Sequence, residues 1–525
     1  MYIHKFIVDK AIILDLKNTT KHEVYQELTD ALKNAGRLSN PEQAVKDLQT
    51  TERKGTFGIG QAIAIPHACT SAVHQPIIAI GISKTGIDFN AVDDKPVNLV
   101  FLVLNRLIGH NFQLKILSRL AHLLNAPIFA ETLLQAKSSY DMLNYIKEQE
   151  TPLGEIEPPE DTQTVCIIGA GNGGLAMAAH LAITGRKVNL YNRTENRIRT
   201  IQASNEIEVT GEINGTAKLN LVTTDIKQAL TDADIVMVVV PALGHIEIAR
   251  IMGPHLSDGQ IVLLNPGRTG GALVFAETLR QLKINKYYFL AEAETLLYAS
   301  RITNPGQVRI FGIKNAVPIA TLPAFHLPDV LASLRNTFHQ FVAGDNVLKT
   351  GLSNIGAIFH PALTVLNTAW IENEKGEFSY YHEGASPSVS LVLEALDAER
   401  IKVAEAVGIR VLSAREWLYQ AYGVAGNNLY EAIQANYGYH GIMAPNTIDH
   451  RYIAEDVPTS LVPIASLGEY LGVKVTTMKS IVQLANVLHN RNYWTEGRTV
   501  DKLGLDGMTV RQIRRYVEEG RRNGK

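Results

Sequence analysis

Three groups of residues in this chain have types and spacing suited to chemistry. The first is Gly169-Ala170-Gly171-Asn172-Gly173-Gly174, a G-x-G-x-x-G spacing between the apolar run 165–168 and the helical pattern 175–182. In that context Gly169 permits a tight turn, Gly171 lets backbone approach a pyrophosphate, and Gly174 lets helix and strand pack closely. A diphosphate would sit on the free amides at the helix N-terminus. A second strand, 187–191, closes at Asn192-Arg193-Thr194 instead of at an acidic residue. An arginine there suits the 2′-phosphate of NADP, since a guanidinium matches phosphate geometry and a carboxylate would repel it; NAD stays admissible. The apolar run 236–240 ends at Pro241, and ligands of open parallel sheets gather at such strand ends. Gly169, Gly171, Asn172, Gly174, Asn192, Arg193 and Pro241 are therefore the candidate cofactor residues.

The second group lies in the C-terminal third. A reductase acting on a carbonyl or imine needs a group titrating near neutrality, a partner to orient it, and a cation for a substrate carboxylate. His360, in the apolar helical run 352–361, and Asp456 and Arg451, in the run 450–458, have the right types. Taken alone, a histidine in such a run is more often a satisfied core residue, and 450–458 is an ordinary charged loop. The third group is the strand-like run 58–67, which delivers His67 after Pro66. A neutral imidazole is a good nucleophile at pH 7, so His67 could accept a phosphoryl group. Taken alone, the run is better accounted for by a structural strand-end histidine.

The elements that must position these groups fall into three expected domains. A chain of 525 residues is too long for one core. Residues 1–147 alternate helical runs (21–34, 41–53, 111–124) with strand-like runs (77–82, 97–103). Residues 148–163 are acidic, rich in proline and without periodicity, as a linker is. Strand-helix alternation marks 164–342 as a Rossmann domain. Long helical patterns (388–407, 415–421, 475–489) mark 343–525 as all-α. The formal net charge of −2 gives no reason to expect nucleic acid or an anionic membrane as partner. No apolar run reaches the length of a membrane span, and the first residues lack a secretory signal. The two cysteines, Cys69 and Cys166, fit a reducing compartment without a disulfide framework, and their spacing is not that of metal ligands. A cytoplasmic protein is expected, with its oligomeric state open, a homodimer included.

From about 164 to 516 the chain resembles the octopine/nopaline (opine) dehydrogenase family. The resemblance rests on the glycine loop, on 264–272 (Leu-Asn-Pro-Gly-Arg-Thr-Gly-Gly-Ala), 294–299, 354–367 and 383–389, and on 451–463. It implies NAD(P)H-dependent reductive condensation of an α-keto acid with the amino group of an amino acid. His360 would then be the acid/base, Asp456 would hold its tautomer and stabilise the imidazolium, and Arg451 would clamp a substrate carboxylate.

Residues 3–147 resemble the fructose/mannitol-type IIA domain of the sugar phosphotransferase system, through 58–67 and the downstream run 114–120. That resemblance implies phosphorylation of His67 by a phosphocarrier protein. The chain departs from it twice. Thr51 stands sixteen residues before His67, where the family has arginine, with Arg53 the nearest substitute, and Gln113 stands where it has a second histidine, His110 lying nearly a turn earlier. The fusion suggests that the phosphorylation state of His67 adjusts dehydrogenase activity through a domain contact. A phosphorelay or sensor component that binds NADP(H) without turnover is the alternative, and a proton-donating histidine with its carboxylate argues against it.

Overall fold

The computed structural model describes the chain apart from residues 1, 54–55, 74, 107–109, 125, 127, 154–162, 336 and 523–525, and apart from the side chains of 110–112. Most of the expected linker and the side chain of His110 thus lie outside the described residues.

The N-terminal lobe is built on a mixed sheet. Ile7–Ile13 pairs in parallel with Ile77–Ile87, which runs antiparallel to the central strand Val97–Arg106. Helices Lys21–Asn34 and Pro41–Glu52 are capped by Thr20 and Asn40, each accepting from a first-turn amide, and this local chemistry made them legible. His67 opens the strand His67–Thr70 instead of ending one, because Pro66 interrupts the run after Ile63–Ala64. The helix Ser139–Glu150 reaches into the expected acidic linker. The reason is that Glu150 is buried, accepting from the His4 amide at 3.1 Å and meeting His4 Nδ1 at 2.8 Å.

The second sheet has eight strands. Its first six are parallel in spatial order Leu221–Thr223, Lys187–Tyr191, Thr164–Ile168, Ile235–Val238, Ile261–Leu264 and Phe289–Ala293. This is the doubly wound order, with the strand order reversing between Thr164–Ile168 and Ile235–Val238, where a crevice opens for a dinucleotide. The sheet is not wholly parallel, since Val317–Leu322 adds antiparallel to Phe289–Ala293. A separate four-stranded sheet, Gly215–Lys218, Glu206–Gly211, Gln307–Ile313 and Tyr298–Asn304, also departs from the expected strand-helix alternation. Its strand Glu206–Gly211 alternates exposed and buried residues, as a half-buried strand does.

From Val347 onward the described elements are helical, with one isolated bridge between Ser379 and Met443. Pro387–Ala406 is the long central helix, and its buried Arg400 bonds Asp397 at 2.7 Å and the Leu352 carbonyl at 2.6 Å. Arg498, only 3 % exposed, fastens this lobe to the Rossmann sheet. Its Nη1 donates to the Gly267 and Thr269 carbonyls at 3.0 and 2.9 Å, and its Nη2 to the Ala242 carbonyl at 2.8 Å. Arg498→Met should leave those buried carbonyls unsatisfied and cost about 3 kcal/mol or more of stability, read as a lowered urea midpoint.

Candidate active site

The glycine loop fits a dinucleotide residue by residue. Gly169 has φ +112°, and a side chain there would strike the Val239 carbonyl at 2.4 Å. At Gly174 a Cβ would lie 1.7 Å from the Gly169 carbonyl, so helix and strand meet only because it is absent. A Cβ at Gly171 would meet nothing within 4 Å, which leaves open space beside the start of the helix Asn172–Ile183. Asn192 holds the loop from the second strand, accepting from the Ala170 amide at 3.1 Å and donating to the Thr194 carbonyl at 2.8 Å. The Asn172 side chain turns the other way and accepts from the Ile302 amide at 2.9 Å, tying the loop to the small sheet. Arg193 is exposed, 3.7 Å from Glu247, and Pro241 is exposed at the rim of the crevice.

The structure brings His360 and Asp456 together. His360 sits on the helix Gly356–Leu366, and its Nδ1 lies 2.7 Å from Asp456 Oδ2. With Nδ1 committed to the carboxylate, Nε2 is the nitrogen available for proton transfer. Tyr452 stacks on the imidazole at 4.3 Å between centroids and Tyr380 stacks on Tyr452 at 5.1 Å, which fixes the ring plane. Asp456 is fully buried, just before a π-helical turn, Val457–Leu461, a distortion that often marks functional sites. Burial opposes its ionisation, but Arg268 first, then His360 and Arg451, more than offset that and hold its carboxyl below the ordinary range.

Arg268 is the functional residue that sequence reasoning passed over, although it lies inside the quoted run 264–272. Its Nη1 is 3.5 Å from Asp456 Oδ1, its side chain is only 15 % exposed, and its backbone is left-handed at φ +59°. Its buried Nε has no hydrogen-bond partner among the described residues. The conformation is uncommon for a non-glycine residue and aims the guanidinium at the dyad. Only the unusual Pro-Gly-Arg order before Gly270-Gly271 could have signalled it. Arg451 is half-exposed and is paired with Glu455 at 3.1 Å, while Glu455 accepts from the Ala242 amide at 3.0 Å.

Beneath the Arg268 loop lies Glu292, fully buried, accepting from the Ala272 amide and the Thr350 hydroxyl, each at 2.7 Å. Burial pushes its carboxyl up to about 7, those two bonds and Arg498 offsetting only part.

A doubly wound sheet with an open glycine loop, joined to a helical lobe that carries a histidine–carboxylate pair, defines a nicotinamide-dinucleotide oxidoreductase. Residues 343–489 match the NAD/NADP octopine/nopaline dehydrogenase alpha-helical domain, and residues 164–267 match the N-terminus of NAD-dependent glycerol-3-phosphate dehydrogenase. Residues 5–149 match the EIIA 2 domain of the phosphoenolpyruvate-dependent sugar phosphotransferase system. An opine dehydrogenase of Arthrobacter sp. (strain 1C) is 40 % identical over 359 residues, 68 % of this chain and 99 % of its own. A fructose-specific EIIA component of Haloferax volcanii is 37 % identical over 137 residues, 26 % of this chain and 89 % of its own. The solved structure of an octopine dehydrogenase with NADH and L-arginine superposes with a TM-score of 0.58 at 20 % identity, covering 69 % of this chain and all of that one. The chain belongs to the opine dehydrogenase family and carries an N-terminal EIIA-type domain.

Two outcomes test this geometry. Gly171→Ala should leave thermal stability within about 0.5 kcal/mol of the parent yet weaken NADPH binding about tenfold, whereas Gly174→Ala should destabilise the sheet itself. Fluorescence titration beside thermal melts separates the two effects. The Glu292 carboxyl is raised in the folded state, so the stability it confers is present below pH 4.5 and is lost as pH rises through 7. Relative to Glu292→Gln, the parent should therefore lose up to about 3 kcal/mol between pH 5 and 8, measured by urea unfolding.

Proposed function

We propose that this protein reductively condenses an α-keto acid with the amino group of an amino acid, using NADPH in preference to NADH. The observation that carries the reading is the 2.7 Å His360–Asp456 contact, with Arg268 from the loop after Ile261–Leu264 beside it. Gly169, Gly171, Asn172 and Gly174 would hold the diphosphate, and Arg193 would meet a 2′-phosphate. A bound nicotinamide supplies the hydride that reduces the imine formed from the two substrates.

The chain's own residues do the rest. His360 accepts a proton from the ammonium of the amino acid, freeing the amine to attack the keto carbon. The resulting carbinolamine loses water to give the imine, and His360 Nε2 returns a proton as reduction proceeds. Asp456 holds the imidazole by Nδ1 and stabilises its charged form. Arg268 keeps Asp456 ionised. Arg451, with one face held by Glu455, presents its other face to a substrate carboxylate. In the N-terminal domain, His67 is the phosphoryl acceptor from a phosphocarrier protein.

The experiment is to follow NADPH and NADH absorbance with pyruvate and other keto acids against a panel of amino acids. Oxidation is expected only when both substrates are present. His360→Ala should lower kcat by about a thousandfold, and Asp456→Asn by about a hundredfold or more, with NADPH binding retained in both. Turnover that survives His360→Ala would remove the acid/base assignment. Bound NADPH with no turnover on any substrate pair would favour the sensor alternative.

A further inference from the structure

The face of the N-terminal domain that carries His67 is seated on the dehydrogenase. His67 Nδ1 donates to the Ile65 carbonyl at 2.8 Å, so in a neutral ring Nε2 holds the lone pair that would attack phosphorus. That nitrogen faces Asp329 Oδ2 at 3.3 Å, with both side chains only 15 % exposed. Asp329 belongs to the helix Leu327–Leu334 of the Rossmann domain. A cavity of about 270 Å³ runs along the seam, with Thr51, Phe57 and His67 on one side and Tyr287, His326 and Asp329 on the other.

Two features make this docked arrangement hostile to phosphoryl transfer. Burial alone would lower the His67 pKa, but Asp329 and the hydrogen bonds to both ring nitrogens outweigh it and raise the value, favouring an imidazolium without a lone pair. The described lining also contains no lysine or arginine to meet a phosphoryl group. Thr51, which replaces the arginine of related domains, does line the cavity, while Gln113 is turned to the Cys69 thiol at 2.7 Å. Burial also holds His326 down to about 4, so it stays neutral. The docking has other fastenings: Ser118 Oγ donates to the Tyr287 carbonyl at 3.0 Å, Lys115 pairs with Asp234 at 3.1 Å, and Arg521 donates to the Ile59 carbonyl at 2.9 Å.

Resting on the reading of His67 as a phosphoryl acceptor, we propose that docking and phosphorylation exclude one another. Seated against Asp329, His67 is closed to a phosphocarrier, and a phosphoryl group on Nε2 holds the two domains apart. In the transfer, the phosphorus–nitrogen bond of a phosphohistidine donor breaks as a bond from His67 Nε2 to phosphorus forms. One ring proton passes from His67 to the donor's imidazole. The product sets a phosphoryl dianion against the Asp329 carboxylate in a cavity whose described lining has no lysine or arginine, and separation relieves that repulsion. Each factor by which docking is weakened should appear as the same factor in His67 reactivity.

The test uses the full chain, with phosphoramidate as the chemical phosphoryl donor and hydrogen–deuterium exchange as the readout of docking. Asp329→Asn, which touches no part of the dehydrogenase site, should take up phosphate at His67 about tenfold faster than the parent. His67→Glu, which sets two carboxylates face to face, should raise amide exchange over 287–289 and 324–331 while the glycine loop stays protected. Equal phosphorylation rates in parent and Asp329→Asn, with exchange unchanged in His67→Glu, would overturn the proposal and leave His67 a phosphoryl acceptor. No phosphate on His67 in either protein would overturn the acceptor reading and the proposal together, even with exchange raised in His67→Glu.

Discussion

One buried carboxylate, that of Asp456, is the constraint around which the catalytic half of the molecule is arranged. A charge with no exposure must be met by opposite charge and hydrogen bonds, or it would neutralise. Its partners come from two separate pieces of chain: His360 from the helix Gly356–Leu366, and Arg268 from the loop after Ile261–Leu264. His360 lies in the same helical lobe as Asp456, whereas Arg268 reaches it only when that lobe packs on the Rossmann sheet, so the full set of partners depends on the domain packing. Arg498 fixes the same loop from the opposite side by taking up the Gly267 and Thr269 carbonyls. The left-handed backbone at Arg268 is a local cost that this surrounding network holds in place.

Two of the histidines bonded to carboxylates, His360 and His67, differ in which ring nitrogen the carboxylate takes. At His360 the carboxylate takes Nδ1 and leaves Nε2 to other partners. At His67 the backbone carbonyl of Ile65 takes Nδ1, and the carboxylate of Asp329 covers Nε2. The first arrangement leaves Nε2 clear of the carboxylate, whereas the second sets the carboxylate on Nε2. The same pair of residue types therefore exposes different ring nitrogens in the two domains.

The seam between the N-terminal domain and the dehydrogenase combines polar fastenings with apolar contact, Leu114 packing into the core of the Rossmann domain. It joins the sheet at Tyr287, just before the strand Phe289–Ala293, whose far end carries the buried Glu292 under the Arg268 loop. A shift at the seam would thus begin on an element that also shapes the active site.

What the sequence determined by itself is what short-range chemistry dictates. Gly169, Gly171 and Gly174 were legible because a tight turn, an open approach and a close packing each exclude a side chain within a few residues of chain. The capped helices Lys21–Asn34 and Pro41–Glu52 were legible for the same reason, and the resemblance to known families pointed to His360, Asp456 and His67. Tertiary structure alone decided the rest: Arg268 beside Asp456, Arg498 across the domain boundary, the small sheet on the glycine-loop helix, and Asp329 on His67. These pairs lie far apart along the chain, and their energies depend on burial and on distances of a few ångströms. No local pattern encodes those quantities, so they exist only once the domains have packed.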